Sequence, residues 1–130
     1  MQMILIGIGG AVGAALRYSV PLLFLTNETA AFPFATVAVN LAGCFILGAL
    51  SSGLELKIFI NPDYLSALKT GLIGSFTTFS TFSVEVIQLL QYHFYFSAIL
   101  YIFISAIFGL IFAALGMKIG KSISERKERV

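Results

Sequence analysis

Ten residues in the second half of the chain carry a high density of hydrogen-bonding side chains. Residues 74–83 read Gly-Ser-Phe-Thr-Thr-Phe-Ser-Thr-Phe-Ser, with six Ser and Thr hydroxyls and three phenylalanine rings. Each hydroxyl has one O–H donor, and each ring has a positive edge and a negative face. These groups can bind an ion without presenting a formal charge of their own.

This chemistry suits a small, strongly hydrated anion. Phe79 and Phe82 would favour an anion with their ring edges, and Ser, Thr and Asn donors replace water molecules that the ion gives up. Asn40 is the most polar member of a helically spaced stripe. The stripe comprises Thr36, Asn40, Gly43, Cys44, Leu47, Gly48 and Ser51. Two other roles stay open: the rings could instead pack in the core, and Asn40 could instead form a hydrogen bond that joins two helices.

No catalytic group of residues is visible in the sequence. His93 is the only histidine, and the single Cys44 has no partner for a disulfide or a Cys-based metal site. Gly7 and Gly9 imitate a dinucleotide-binding fingerprint, but Val12 stands where its third glycine belongs. We therefore predict that the chain is not an enzyme.

The composition places these residues in a lipid bilayer. Of 130 residues, 58% are hydrophobic and 11% are charged, whereas soluble domains approach a quarter charged. A membrane-spanning helix needs about 20 mostly apolar residues. We predict one all-α membrane domain over residues 1–130, whose last part, residues 118–130, is a basic tail. Its four spans lie at about 2–25, 32–54, 65–91 and 95–119.

The hydroxyl-rich stretch falls in the third predicted span, where it must be buried or line water. Six Ser and Thr residues leave no face of a helix purely apolar, so no face suits lipid. Gly and β-branched Thr also weaken a helix, and irregular backbone at membrane depth is tolerated where it lines a cavity or is enclosed by protein. We therefore expect a break in the third helix.

Glycines and charges mark where the spans face protein instead of lipid. Gly9 and Gly13 form a small-xxx-small pair that lets two helices approach closely, and we take this face as one reason to expect a dimer. An Arg at the bilayer centre costs about 3 kcal/mol, so Arg17 should face an interior, a vestibule or the interface. A carboxylate such as Glu85 in a membrane span suggests coupling to protons or cations, but it could equally lie at the outer end of an ion pathway. Ser105 is an interior-facing candidate of the fourth span.

Three sequence features coincide in this chain. They are the segment 74–83, Asn40 in the second span, and Gly-Ala-Ala-Leu-Arg-Tyr at residues 13–18. In this combination the chain resembles the Fluc, or CrcB, family of microbial fluoride channels. The resemblance covers essentially the whole chain, and Thr-Thr-Phe-Ser-Thr-Phe in a four-span protein of this length is highly specific.

The resemblance implies a fold, an activity and an assembly. The chain would form an antiparallel, dual-topology homodimer in the bacterial inner or plasma membrane, with a broken third helix in each subunit. Two pores per dimer would export cytoplasmic fluoride passively. A thin bundle of four spans also favours a two-fold pair, since four helices enclose a pathway poorly.

The resemblance also implies roles for particular residues. The pore would be lined by Asn40, Phe79, Ser80, Thr81, Phe82 and Ser105. We expect Asn40 to face Phe82 and the hydroxyls across the subunit interface. The backbone carbonyls of Gly74 and Thr77 would hold a structural Na⁺ at the dimer centre. Arg17 and Glu85 remain vestibule or structural residues.

The distribution of charge favours a different topology from the resemblance. An even number of spans puts both termini and the loop 55–63 on one side with nearly all Lys and Arg, which favours a single orientation. Dual topology is thus implied by the resemblance alone. The basic tail is expected to face cytoplasm or headgroups, and not nucleic acid, because Glu125 and Glu128 interrupt it.

Two rival classes of function remain open. A four-span multidrug or cation exporter would need a carboxylate in the first span, where this chain has Arg17. A membrane scaffold that transports nothing would not need six clustered hydroxyls.

Overall fold

The computed structural model describes residues 1–23, 32–54 and 61–128, and this part of the chain is almost entirely helical. Helix α1 is Gln2–Leu23, α2 is Phe34–Ala49, and α2 continues as a π-helical segment, Leu50–Leu54. Helix α3, Pro62–Ser66, continues as a π-helical segment, Ala67–Ile73. Helices α4, α5 and α6 are Gly74–Phe76, Phe79–Gln91 and Tyr95–Glu128. Residues 24–25 of the first predicted span and 129–130 of the tail lie outside the described residues.

Several of these helices suit a membrane. Within the described residues, three are long and apolar enough to cross one by length and composition, namely Gln2–Leu22, Phe34–Ser52 and Tyr95–Glu125. Residues 65–91 are divided among shorter elements and do not enter this set. The all-helical, apolar architecture is what the sequence predicts.

Helix α3 begins with a strong local signal. The Asn61 side chain accepts a hydrogen bond from the Asp63 N–H at 2.9 Å, and Pro62 occupies the first helical position. Proline suits this position because its missing N–H would have no helical partner there, and Asp63 complements the helix dipole.

Helices α5 and α6 are joined by a tight turn at His93. His93 has a φ of 61°, the left-handed conformation that ends many helices. The Phe94 N–H donates to the Leu89 carbonyl at 2.8 Å, and the His93 N–H to the Leu90 carbonyl at 3.1 Å. This cap lets the chain reverse direction within a few residues.

The packing is organised as two closely apposed helix pairs. Helix α1 lies along Ala67–Ile73, and α2 lies along α6. A Cβ atom built on Gly13 would lie 2.1 Å from the Leu72 carbonyl oxygen, and one on Gly116 would lie 2.1 Å from that of Phe45. The glycines therefore permit direct backbone contact, which favours helix association in lipid through van der Waals packing.

The contacts of Gly9 and Gly13 correct one premise of the dimer prediction. A Cβ on Gly9 would lie 2.6 Å from the Ala67 carbonyl oxygen, so this face packs against the same chain, as does Gly13. Close approach of two helices was rightly predicted, but the partner is intramolecular. The dimer must therefore rest on other observations.

We predict that Gly13→Ala destabilises the protein by about 1–3 kcal/mol, the usual penalty of overpacking. The new Cβ would collide with the Leu72 backbone, and backbone atoms cannot rotate out of the way as a flexible side chain can. Gly7→Ala is the matched control, because nothing lies within 4 Å of a Cβ at Gly7 and alanine is the better helix former. Thermal unfolding of the purified protein in detergent measures both, and equal stability of the two variants would contradict the packing described here.

Candidate functional site

The helical path is interrupted at Thr77 and Thr78, inside the hydroxyl-rich segment. Thr77 has φ −75° and ψ 156°, Thr78 has φ −148° and ψ 124°, and both are extended. β-Branched residues accept this conformation readily. The Thr78 hydroxyl also accepts a hydrogen bond from the Thr81 N–H at 3.1 Å, which caps the start of α5. The local sequence thus ends one helix and begins the next.

Asn40 fastens this interruption to α2. Its Oδ1 accepts from the Thr78 N–H at 2.8 Å, and its Nδ2 donates to the Thr78 carbonyl at 3.0 Å. The carboxamide thus pairs with both backbone groups of Thr78, as a neighbouring strand would. A carboxamide has two N–H donors, so one has no partner among the described residues after this pairing. Asn40 therefore links two helices, and its contact with an anion stays a prediction.

Two backbone carbonyls lose their helical partners at the interruption. In a continuous helix the N–H groups of Thr78 and Thr81 would donate to the carbonyls of Gly74 and Thr77, four residues earlier. Here they donate to Asn40 Oδ1 and Thr78 Oγ1 instead. Neutral carbonyl oxygens released in this way are the donor type that Na⁺ accepts in membrane proteins. The chemistry of Gly74 and Thr77 therefore fits the cation predicted for them.

A glycine on α2 makes room for the interruption. A Cβ atom built on Gly43 would lie 2.0 Å from Cγ2 of Thr77, so the Thr77 methyl group occupies the space that a larger residue would fill. The Thr77 hydroxyl donates to a helix carbonyl at 3.2 Å. Thr77 is thereby fixed at both branches of its side chain.

Three hydroxyls form a cluster at the start of α5. Thr78 Oγ1 lies 3.0 Å from Thr81 Oγ1 and 3.2 Å from Ser80 Oγ. The Ser83 hydroxyl lies apart from them and donates to a carbonyl of its own helix at 2.9 Å. The six hydroxyls of residues 74–83 therefore do not act as one set.

The predicted pore phenylalanines have unlike surroundings. Phe79 is 80% exposed, and its ring centroid lies 5.8 Å from that of Phe82. Phe82 packs inward against Tyr101, with 4.8 Å between ring centroids. Phe82 thus joins the core of this chain, whereas Phe79 has no comparable cover within the described residues.

Glu85 is held by two hydroxyl donors. Its Oε1 accepts from the Thr36 hydroxyl at 2.8 Å, and its Oε2 accepts from the Tyr101 hydroxyl at 2.7 Å. Tyr101 is fully buried. The carboxylate therefore joins α5 to both α2 and α6. The sequence alone does not reveal Thr36 and Tyr101 as its partners, although Thr36 lies on the polar stripe and Tyr101 is the one tyrosine in the apolar stretch 96–117.

A cleft of about 240 Å³ lies beside the interruption. Arg17 is the charged residue of its lining, which also includes Tyr18, Pro21, Ala35, Thr36, Val39, Thr78 and Thr81. The structure therefore places Arg17 in the same cleft as part of the hydroxyl cluster. Ser105 does not join this lining, and its buried Oγ has no hydrogen-bond partner within the described residues.

Comparison with known proteins assigns the family. The family model described as CrcB-like protein, Camphor Resistance (CrcB), matches residues 4–117. The chain belongs to the CrcB-like family. Fluoride-specific ion channel FluC 1 of Bacillus thuringiensis subsp. konkukian is 43% identical over 117 residues, which are 90% of this chain and 85% of that protein.

Two further relatives cover the chain to a similar extent. Fluoride-specific ion channel FluC 1 of Staphylococcus aureus is 39% identical over 125 residues, 95% of this chain and 100% of that protein. The protein of the same name from Desulfitobacterium hafniense is 41% identical over 113 residues, 87% of this chain and 97% of that protein. The family and the apolar helices together place this chain in the cell membrane as a multi-pass protein.

We predict that Tyr101→Phe destabilises the fold by about 1–3 kcal/mol, because Glu85 loses a hydroxyl donor and one carboxylate oxygen is left unsatisfied. Tyr92→Phe removes the same atom from a residue that is 71% exposed and serves as the control. Thermal unfolding in detergent compares the two. If both variants unfold at the same temperature, the hydrogen bond to Glu85 contributes nothing to stability.

Proposed function

We propose that this chain forms a fluoride-selective channel through which cytoplasmic fluoride leaves the cell passively. One observation carries the proposal: in a member of the CrcB-like family, neutral donors and Arg17 lie around one cleft beside an interrupted helix. The relatives named fluoride-specific ion channels support the choice of ion.

The chemistry of the cleft favours a hydrated anion over a cationic drug. Arg17 attracts an anion from solution, and hydroxyls of the cleft lining replace its water without trapping it as a second full charge would. Glu85 binds Thr36 of the cleft lining, and two hydroxyls already occupy its oxygens. A cation exporter would need a carboxylate free to bind its substrate. The proposal involves no catalytic step.

The proposed assembly is an antiparallel, dual-topology homodimer with four spans per subunit, a broken third span and two pores. Its support is the incompleteness of a single chain. Phe79 is 80% exposed, and Ser80 and Thr81 are exposed beside it, so one side of the donor cluster is open. Ion selectivity needs donors that surround the ion, and a second copy would close that side.

The proposed structural cation lies between the two subunits. The carbonyls of Gly74 and Thr77 would hold Na⁺, since the N–H groups that should pair with them bind side chains instead. Bound Na⁺ would supply a fixed positive charge near both pathways and would offset repulsion between their anions.

One structure determination tests the assembly and the cation together. We predict that the purified protein in detergent or lipid is an antiparallel pair, with density for a monovalent cation between the Gly74 and Thr77 carbonyls of both chains. Parallel chains or monomers would contradict the assembly. A pair with only water between these carbonyls would contradict the cation and leave the pairing intact.

We predict that Phe79→Ile and Phe82→Ile each lower fluoride efflux from liposomes sharply, while the protein still folds. Isoleucine keeps an apolar side chain but has no ring edge to favour an anion. Phe96→Ile is the control, because Phe96 is 79% exposed and lies on α6 away from the hydroxyl cluster. Parental flux in both pore variants would return these rings to the role of packing residues.

The parental protein in the same assay separates the three classes of function. A fluoride channel releases fluoride from loaded liposomes without an energy source. A cation exporter or a scaffold would leave the fluoride inside, and that result would overturn the proposed function.

A further inference from the structure

Thr78 differs from the other residues of the hydroxyl-rich segment in how completely it is held. It is 8% exposed. Both of its backbone groups pair with the Asn40 carboxamide, at 2.8 and 3.0 Å. Its hydroxyl contacts both Ser80 and Thr81. Thr78 therefore connects the two kinds of neutral donor at the site, the amide of Asn40 and the hydroxyls of α5.

Each hydroxyl has a single proton, which constrains the direction of these hydrogen bonds. Thr78 Oγ1 accepts from the Thr81 N–H at 3.1 Å and donates to Thr81 Oγ1 at 3.0 Å. Its proton is then used, so Ser80 is the donor in the 3.2 Å contact between Ser80 Oγ and Thr78 Oγ1. Ser80 thus turns its proton inward, whereas the Thr81 proton is left for another acceptor.

The two hydroxyls also differ in what they face. Thr81 lines the cleft that contains Arg17, and Ser80 does not. A free O–H donor in the same cleft as a guanidinium favours an anion, because the ion gains a hydrogen bond and a charge interaction within one cleft. The leftover Asn40 N–H is fixed in direction by the same residue, since Thr78 holds both polar atoms of the carboxamide.

We infer that Thr78 is a positioning residue for anion passage, which acts by directing the Thr81 O–H into the Arg17 cleft and by fixing the Asn40 amide. This inference rests on the proposed function, because it assigns a specific donor to the proposed fluoride pathway. It assigns different roles to Thr81 and Ser80, although the two residues are adjacent in sequence and both are exposed.

The first test compares fluoride efflux from liposomes for Thr78→Val, Thr78→Ser and Ser83→Ala. Valine keeps the β-branched shape but removes the hydroxyl, and flux should fall about tenfold, the factor expected for one misdirected hydrogen bond to an ion. Serine retains the hydroxyl and should restore most of the flux. Ser83→Ala removes a hydroxyl that binds its own helix and should conduct like the parent.

The second test uses the inequality of Thr81 and Ser80 and does not depend on a folded Thr78→Val. Thr81→Val should lower flux more than Ser80→Ala does. When Thr78→Val does fold, Thr81→Val added to it should cause little further loss, because both changes remove the same donor.

Several outcomes would overturn the inference. The first is that Thr78→Val and Ser83→Ala conduct fluoride equally well. The second is that Thr78→Ser does not restore the flux that Thr78→Val loses. The third is that Ser80→Ala lowers the flux as much as Thr81→Val does. These outcomes, obtained while the parent conducts fluoride, would leave the proposed function standing. A parent that releases no fluoride would overturn the proposed function and this inference with it.

Discussion

Two hydrogen bonds between the Asn40 carboxamide and the Thr78 backbone are the interaction on which the site depends. A helix interrupted at membrane depth exposes N–H and carbonyl groups that lipid cannot satisfy. The Asn40 side chain of α2 satisfies the N–H and the carbonyl of Thr78 here, whereas the carbonyls of Gly74 and Thr77 lose their helical donors. Because the carboxamide presents an N–H and a C=O side by side, it pairs with both backbone groups of the extended Thr78 as a neighbouring strand would.

The interruption provides both hydrogen-bond acceptors and hydrogen-bond donors within one short segment. Once the Thr78 and Thr81 N–H groups bind side chains, the carbonyls of Gly74 and Thr77 are left as acceptors. The hydroxyls at the start of α5 remain as donors. Acceptors suited to a cation and donors suited to an anion therefore arise a few residues apart, with no charged residue among them.

Close packing brings α2 near enough for this contact. The space at Gly43 admits the Thr77 methyl group, and glycines along α1 and α6 allow backbones to touch. Lipid gives little hydrophobic driving force between helices, so such contacts and buried polar bonds decide which helices associate. The hydrogen bonds of Glu85 to Thr36 and Tyr101 add a second polar link among α2, α5 and α6.

The sequence by itself determined the class of the protein and the location of its unusual chemistry. Apolar composition and helical spacing predict a membrane protein of helices, and residues 74–83 with Asn40 identify the family. The tertiary structure decided the partners. Asn40 meets Thr78 across 38 residues, and Thr36 meets Glu85 across 49. The Gly9 and Gly13 face packs within the chain. An apolar helix face suits lipid and protein equally, so sequence alone does not fix how each helix is rotated.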